Sequence, residues 1–331
     1  MVTLRDIAKA AGVSTSAVSR AIRDQGNYSE EVRNKIKTLA SEMGYKPNIN
    51  ARALVKKQSD IIGFIVPDAS QPFYGLMFKG AYTASLTTEY RLMISNYDND
   101  HRTLDNAVES LKAAGCRNII IHTLHTDIAY LKKLSEEVPG LVVIGRLIPE
   151  IQERCVWIEN FYAGRLAAEH MLKNGHHELA VVLHDYVKLD SAERLQGIKY
   201  VLEMQGVKLK DDNIIYTNSE EAEDIGKQLA QKASELSGVI AFNDQVAIKV
   251  MNGLQASGVK IPQDISVIGF DDSIFCELSL PSLTSVKYPC YEMASYAIRL
   301  SIKFTNHQES LDSQANMFMP SLIERHSVLK A

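Results

Sequence analysis

Beyond residue 60, polar side chains close nearly every apolar run of the chain: Asp68, Asn96, His122, Arg146, Glu159 with Asn160, Asp185, Asn243 with Asp244, and Asp271 with Asp272. Carboxylates, amides and arginines supply the hydrogen bonds that hydroxyl groups need. Phe73 and Tyr74, in SQPFYG, offer flat faces for apolar C–H bonds. Together they describe a polar rim suited to a small polyhydroxylated ligand such as a pyranose, held in a cleft. The competing reading, that such residues cap helices at strand-to-helix turns, covers about half of them. GxGxxG, the phosphate-loop pattern, HExxH and GxSxG are all absent, so dinucleotide, nucleotide-phosphate, zincin and hydrolase chemistry lose their best signals. His176–His177 is the only histidine pair, and adjacent residues point to different sides of an element, so a solvated turn is expected there and not a metal site. Trp157, mid-strand, reads as core. No catalytic residue, metal ligand or cofactor is expected.

A second constellation lies in the first sixty residues, where Thr15, Ser16 and Arg20 share the polar face of a short segment. An arginine fork pairs bidentately with guanine O6 and N7, and a threonine offers a methyl and a hydroxyl to base edges. Ser19, Asn27, Ser29 and Tyr45 are placed to bond phosphates and fix register. Charge supports that chemistry. Residues 1–60 carry eleven Lys/Arg against six Asp/Glu, a surplus of +5, whereas the remainder carries 25 against 34, a deficit of −9. A basic module on an acidic body suits a polyanionic partner, although charge alone describes a solvated basic surface equally well.

The elements that position these groups follow from periodicity. Leu4, Ile7, Ala8 and Ala11 form one face of a helix capped by Thr3 and ended by Gly12. Ser14 caps a second helix, Thr15 to Arg23, packed through Val18 and Ile22. A third begins at Ser29, with Glu30 and Glu31 in its first turn, and stops at Gly44. Two short helices joined by a tight glycine turn fit a helix-turn-helix, with a plain helical hairpin as the alternative. Pro47 then breaks the chain, and Asn50 to Lys57 is helix-prone but too short to persist alone, so it needs a symmetry mate and DNA to order it. Leu54 on that basic strip has the character of an apolar wedge for a minor-groove step.

From residue 60, apolar strand-like runs at 61–66, 91–96, 118–123, 141–145, 155–159, 179–184, 213–217, 238–242 and 265–270 alternate with amphipathic helices. Such alternation predicts doubly wound α/β architecture with parallel sheets covered on both faces. Nine strands exceed one comfortable lobe and point to two. The chain has 331 residues, 46% apolar and 23% charged, with four scattered cysteines and no run long enough to span a bilayer. A globular, cytoplasmic, nucleoid-associated protein with reduced thiols is expected, without a membrane partner.

DIAKAAGVSTSAVSRAI (6–22), GYKPNINARAL (44–54) and IGFIVPD (62–68) closely resemble the LacI/GalR family of bacterial transcriptional regulators. The resemblance implies a three-helix headpiece over 1–46, a hinge helix over 47–59 that inserts Leu54 into an operator, and an effector-binding and dimerisation core over 60–331. That core would be like a type I periplasmic binding protein: an N-lobe of about 60–160 and 289–318 and a C-lobe of about 161–288 and 319–331. Thr15, Ser16 and Arg20 would read bases, with Asn50 among the DNA contacts. SAERLQG, FND and IGFDD match motifs whose Arg, Asn and first Asp bond the effector, here Arg194, Asn243 and Asp271; Phe73, Arg146 and Glu159 complete the expected set. The stretches at 72–80, 139–155 and 317–328 look most like the galactose repressor and isorepressor branch, which implies D-galactose as effector. The sequence departs from that branch at Glu159–Asn160 and at Gly145.

The expected function is therefore a homodimeric, sugar-responsive repressor on a palindromic double-stranded operator, and not an enzyme. No heptads follow SLIERHSV, which favours a dimer over a tethered tetramer. Three alternatives stay open: another sugar, a purine or a phosphocarrier-protein corepressor on the same regulator; a sugar-transforming α/β enzyme; and a pure binding protein.

Overall fold

The computed structural model describes residues 2–22, 26, 28–45, 59–184, 189–218, 220–306 and 316–330. The chain divides into two compact units, Met1–Gln58 and Ser59–Ala331.

The first unit holds three helices: α1 (Leu4–Ala11), α2 (Thr15–Ile22) and α3 (Glu30–Glu42). Thr3 and Asp6 form a reciprocal capping box on α1, and Gly12 ends that helix in the left-handed conformation. Ser14 Oγ accepts from the Ala17 N–H at 3.1 Å and caps α2. The turn between the helices is thereby fixed at both ends. Ile7, Ala8, Val18, Ala21, Ile36 and Ala40 pack into a small core that holds the three helices together. The third helix ends at Glu42, two residues short of Gly44, which is itself left-handed at φ +67°.

The second unit contains two six-stranded sheets. In the first lobe the strands are β1 (Ile61–Val66), β2 (Arg91–Asn96), β3 (Asn118–His122), β4 (Gly140–Ile144), β5 (Cys155–Ile158) and β11 (Met317–Phe318), in the order β2-β1-β3-β4-β5-β11, all parallel. The second lobe has β6 (Leu179–His184), β7 (Ile214–Thr217), β8 (Gly238–Ala241), β9 (Ser266–Asp271), β10 (Thr284–Lys287) and β12 (Ser321–Ile323), in the order β7-β6-β8-β9-β10-β12. Only β12 runs antiparallel there. The nine runs read from sequence all form strands; in the inner ones Val and Ile side chains are buried on both faces of a helix-covered sheet, whereas the edge strands β2 and β7 leave Met93, Ile94 and Tyr216 exposed.

The helices covering the first sheet are α4 (Pro72–Ser85), α5 (His101–Ala113) and α6 (Ile128–Glu137). Those of the second lobe are α7 (Asn160–Lys173), α8 (Leu189–Met204), α9 (Ala222–Ala230), α10 (Asp244–Ala256) and the short α11 (Phe275–Leu278). The last helix, α12 (Cys290–Thr305), returns to pack on α4. The chain therefore changes lobe three times: after β5, between β10 and α12, and between β11 and β12.

Glycine sets how closely the second-lobe helices pair. A Cβ built at Gly253 would fall 2.0 Å from Glu223 O, and one at Gly164 would fall 2.0 Å from Arg194 O. The pairs α9–α10 and α7–α8 meet backbone to backbone at these points. No helix of the described residues is long and apolar enough to cross a membrane, and all four cysteines are buried and unpaired.

His176 corrects the expectation of a solvated turn. It is 7% exposed, with Nε2 against Leu329 O at 3.1 Å and Ser266 Oγ at 2.9 Å, so it ties the carboxy-terminal segment to β9. Burial pushes its pKa, and that of His170, below the ordinary histidine value.

Two outcomes follow for stability. Gly253→Ala should cost about 1–3 kcal/mol in chemical denaturation, since the new methyl meets backbone that cannot turn aside. Because His170 and His176 are held neutral in the folded state, the unfolded chain binds more protons as pH falls below about 6.5. Stability should drop between pH 7.5 and 5.5, and His176→Gln should flatten that dependence; a variant as pH-sensitive as the parent in thermal melts would contradict this origin.

Candidate functional site

In the three-helix unit, Thr15, Ser16 and Arg20 are all exposed on α2, with Ser19 half-buried beside them. Arg20 Nε donates back to Ser16 O at 3.3 Å, and the Ser16 hydroxyl lies 2.9 Å from that of Ser14. Ser29 caps α3, its Oγ accepting from the Val32 N–H. Tyr45 packs its ring partly against the helical core, and its N–H bonds Ala40 O. The expected base-reading side chains thus share the solvent face of α2, opposite Val18 and Ala21. Asn27, Asn50 and Leu54 lie outside the described residues, as does the rim residue Asp185.

In the α/β unit a cavity of about 100 Å³ opens where the carboxyl ends of the two sheets face each other. A single water needs about 10–15 Å³, so this space admits a small ligand. The first lobe contributes Gln71, Phe73 and Tyr74 from the start of α4, His122 from the end of β3, and Leu124 and Gly145. From the second come Asn160, Asp190, Arg194, Phe242, Asn243 and Asp271, and Tyr288 joins them from the crossing that precedes α12.

Arg194 is 4% exposed, on α8. Its Nε donates to Asn160 Oδ1 at 3.0 Å and its Nη1 to Phe242 O at 2.8 Å. The guanidinium carbon sits 4.6 Å from the Phe270 ring centroid and 5.4 Å from that of Phe242. Asn243 caps α10, its Oδ1 accepting from the Val246 N–H at 2.9 Å, which turns its NH2 group away from the helix. Asp271 ends β9 at φ +104°, a conformation that non-glycine residues rarely adopt and that is found where structure forces a side chain into place.

Aromatic rings make the other wall. Phe73 packs edge-to-face on Tyr74, His122 and Tyr288, with centroids 5.1, 5.7 and 5.2 Å away. Tyr74 Oη lies 3.3 Å from His122 Nδ1, and burial pushes the Tyr74 phenol well above its ordinary value, so it stays protonated.

Of the six residues expected to hold an effector, Phe73, Arg194, Asn243 and Asp271 converge on this cavity. Arg146 and Glu159 do not. The Arg146 guanidinium donates to Leu124 O and Thr126 O, at 3.1 and 3.2 Å, and so holds the loop after β3. The Glu159 carboxylate caps α7 by accepting from the Tyr162 N–H. Its neighbour Asn160 faces the cavity instead. The other doublets divide likewise: Asp244 is buried, accepting from Ser285 Oγ at 2.6 Å and the Ser273 N–H at 2.7 Å, and Asp272 pairs with Arg325 at 2.7 Å. Burial raises the Asp244 carboxyl above its ordinary value. Asp190 and Tyr288 were not singled out from sequence. Asp190 directly precedes the SAERLQG motif, the one signal that could have drawn it in.

Residues 3–48 match the family described as bacterial regulatory proteins, lacI family, and residues 168–328 match a periplasmic binding protein-like domain. The chain is 31% identical over 330 residues to the HTH-type transcriptional regulator GalR of Escherichia coli (strain K12), covering 99% of this chain and 96% of that one. The structure of the transcriptional regulator CelR–cellobiose complex matches with a TM-score of 0.71 at 25% identity, over 99% of this chain and 100% of that one. The lac repressor dimer bound to operator and the anti-inducer ONPF matches at TM-score 0.83 and 20% identity, over 99% of both chains, a likeness of fold. With a helix-turn-helix unit, a two-lobed periplasmic-binding-protein-like core and a relative matched from end to end, the chain belongs to the LacI family of DNA-binding transcriptional regulators.

Proposed function

We propose that the protein is a sugar-responsive repressor, with D-galactose the first effector to test, acting as a homodimer on a palindromic operator. The observation that carries this reading is the convergence of Arg194, Asn243 and Asp271 with the Phe73 ring on one cavity. A buried fork donor, an amide and a carboxylate match a ring of hydroxyls, and the aromatic ring matches a sugar's C–H face. GalR-like identity along the whole chain supports the galactose branch, while Gly145 and Asn160, from the two places where the sequence resemblance to that branch breaks (Gly145 and the pair Glu159–Asn160), line this cavity.

On this reading residues 1–46 bind the major groove through Thr15, Ser16 and Arg20, with Ser19, Asn27, Ser29 and Tyr45 on phosphates. Residues 47–59, with Asn50 and Leu54, form the hinge. Exposed apolar side chains on the second unit, Leu86, Met93 and Ile94 in the first lobe and Leu278 and Leu280 in the second, support a second copy as partner. Sugar in the cleft changes the lobe arrangement and with it the affinity for operator, with a coupling of about 1–3 kcal/mol.

Calorimetry of the full chain against D-galactose, other monosaccharides and nucleobases tests the effector class. Binding of a nucleobase and of no sugar would replace this reading with a purine-responsive one. Arg20→Ala should cost about 1–3 kcal/mol on the operator and relax base preference at one position in each half-site; an unchanged preference across a randomised operator library rejects Arg20 as a reader. Asn243→Ser keeps an oxygen to cap α10 but removes the amide. It should weaken sugar binding about tenfold with little change in melting temperature. Unaltered affinity in that variant would remove Asn243 from the site.

A further inference from the structure

A ligand shifts an equilibrium between two arrangements only through contacts that differ between them. A contact made wholly within one lobe is carried along unchanged when the lobes move. The cavity contains one side chain that does not belong to a single lobe. Tyr288 follows β10 of the second sheet directly and precedes Pro289 and α12, which packs in the first lobe, so it stands on one of the three crossings. Its backbone N–H donates to Asp271 O at 3.4 Å, anchoring it to the end of β9. The ring, however, belongs to the first lobe. It is 7% exposed, lies within the hydrophobic cluster of β1, α4 and α12, and meets Phe73 edge-on at 5.2 Å. Its phenol lines the cavity with Arg194, Asp190 and Asp271 of the second lobe.

A buried phenol is normally hydrogen-bonded, and one that lines the cavity can bond a ligand that fills it. We infer that Tyr288 is the positioning residue that couples effector occupancy to the lobe crossing. The effector is held from the second lobe by Arg194 and Asn243, while the Tyr288 ring is fixed in the first lobe's core. A hydrogen bond from its Oη to an effector hydroxyl therefore spans the two lobes and is complete in one arrangement only. Asn243, which rides with α10, contributes to affinity in both arrangements and to coupling in neither. This inference rests on the sugar-responsive reading above.

The test uses full-length protein, an operator fragment selected by the wild-type chain from a random-sequence library, and the monosaccharide that binds most tightly in the panel. The quantity read is the ratio of operator dissociation constants with and without saturating sugar, about 5- to 150-fold for the wild type. Tyr288→Phe, which keeps the ring and its packing, should bring that ratio to within about twofold of unity while free-protein sugar affinity falls by no more than about tenfold. Asn243→Ser should lose comparable affinity yet retain the wild-type ratio once saturated. A second measurement needs no variant. Among the monodeoxy derivatives of that sugar, one should bind wild-type protein and leave operator affinity within about twofold of its sugar-free value. A Tyr288→Phe protein with an undiminished ratio, or a deoxy series in which every binder shifts the operator equally, overturns the coupling role and leaves the regulator standing. If no monosaccharide in the panel binds wild-type protein, the sugar reading itself fails, and this inference with it.

Discussion

A guanidinium withdrawn from water sets the terms for the second lobe. An isolated charge in a low-dielectric interior is costly, and Arg194 is tolerated there because two of its N–H groups are spoken for and two aromatic faces lie against it. Those bonds constrain what surrounds them. Asn160 must stand at the start of α7 with its carbonyl oxygen turned toward α8, and the Phe242 carbonyl must end β8 at the same spot. Gly164 must lack a side chain, or α7 could not come within reach of the Arg194 backbone. The partner at 160 is an amide, so it orients the guanidinium, and the carboxylates that balance its charge are those of the cavity wall and its surroundings.

The same economy governs each strand-to-helix junction at the cleft. Consecutive residues there point in different directions, so a polar doublet splits into a member that holds the backbone and a member that reaches the cavity. Glu159 caps its helix and Asn160 faces inward. Asp244 braces the Ser273 and Ser285 segments while Asn243 faces inward, and Asp272 takes Arg325 while Asp271 faces inward. A rim of carboxylates and amides is thus half scaffold and half site, and the scaffold half fixes the geometry of the other.

That division explains what could be read from sequence. The long strands were legible because burial on both faces forces an unbroken apolar run, as in Ile61–Val66 and Leu179–His184. Thr284–Lys287, Met317–Phe318 and Ser321–Ile323 gave no such run, being two to four residues long with Ser285 and Ser321 among them. The doublets announced a polar rim, but which member faces the ligand depends on where the strand ends and the helix begins, a distinction of one residue. Hence Glu159 was expected where Asn160 serves. Asp190 and Tyr288 escaped because neither closes an apolar run: one opens α8 and the other sits on a crossing. His176 read as solvent-facing because its partners, Ser266 and Leu329, are 90 and 153 residues away along the chain.

The electrostatic balance of the cavity bears on its ligand. Among the described residues four helices begin at its wall, α4 after Gln71, α7 at Glu159 and Asn160, α8 at Asp190, and α10 with Asn243 as its cap. Helix starts carry partial positive charge and Arg194 adds a full one, while Asp190 and Asp271 face the same space with two negative charges. Neither sign dominates, so an anionic ligand would meet two carboxylates and a cation would meet a guanidinium and four helix dipoles. A neutral molecule dense in hydroxyls uses both, donating to the carboxylates and accepting from Arg194 and the Asn243 amide. Its hydrogen-bond demand is also directional, which is what a site built from fixed caps and a pinned guanidinium can discriminate. Such a ligand draws groups of both lobes into one network, and a network that spans a crossing is where binding free energy becomes a change in lobe arrangement.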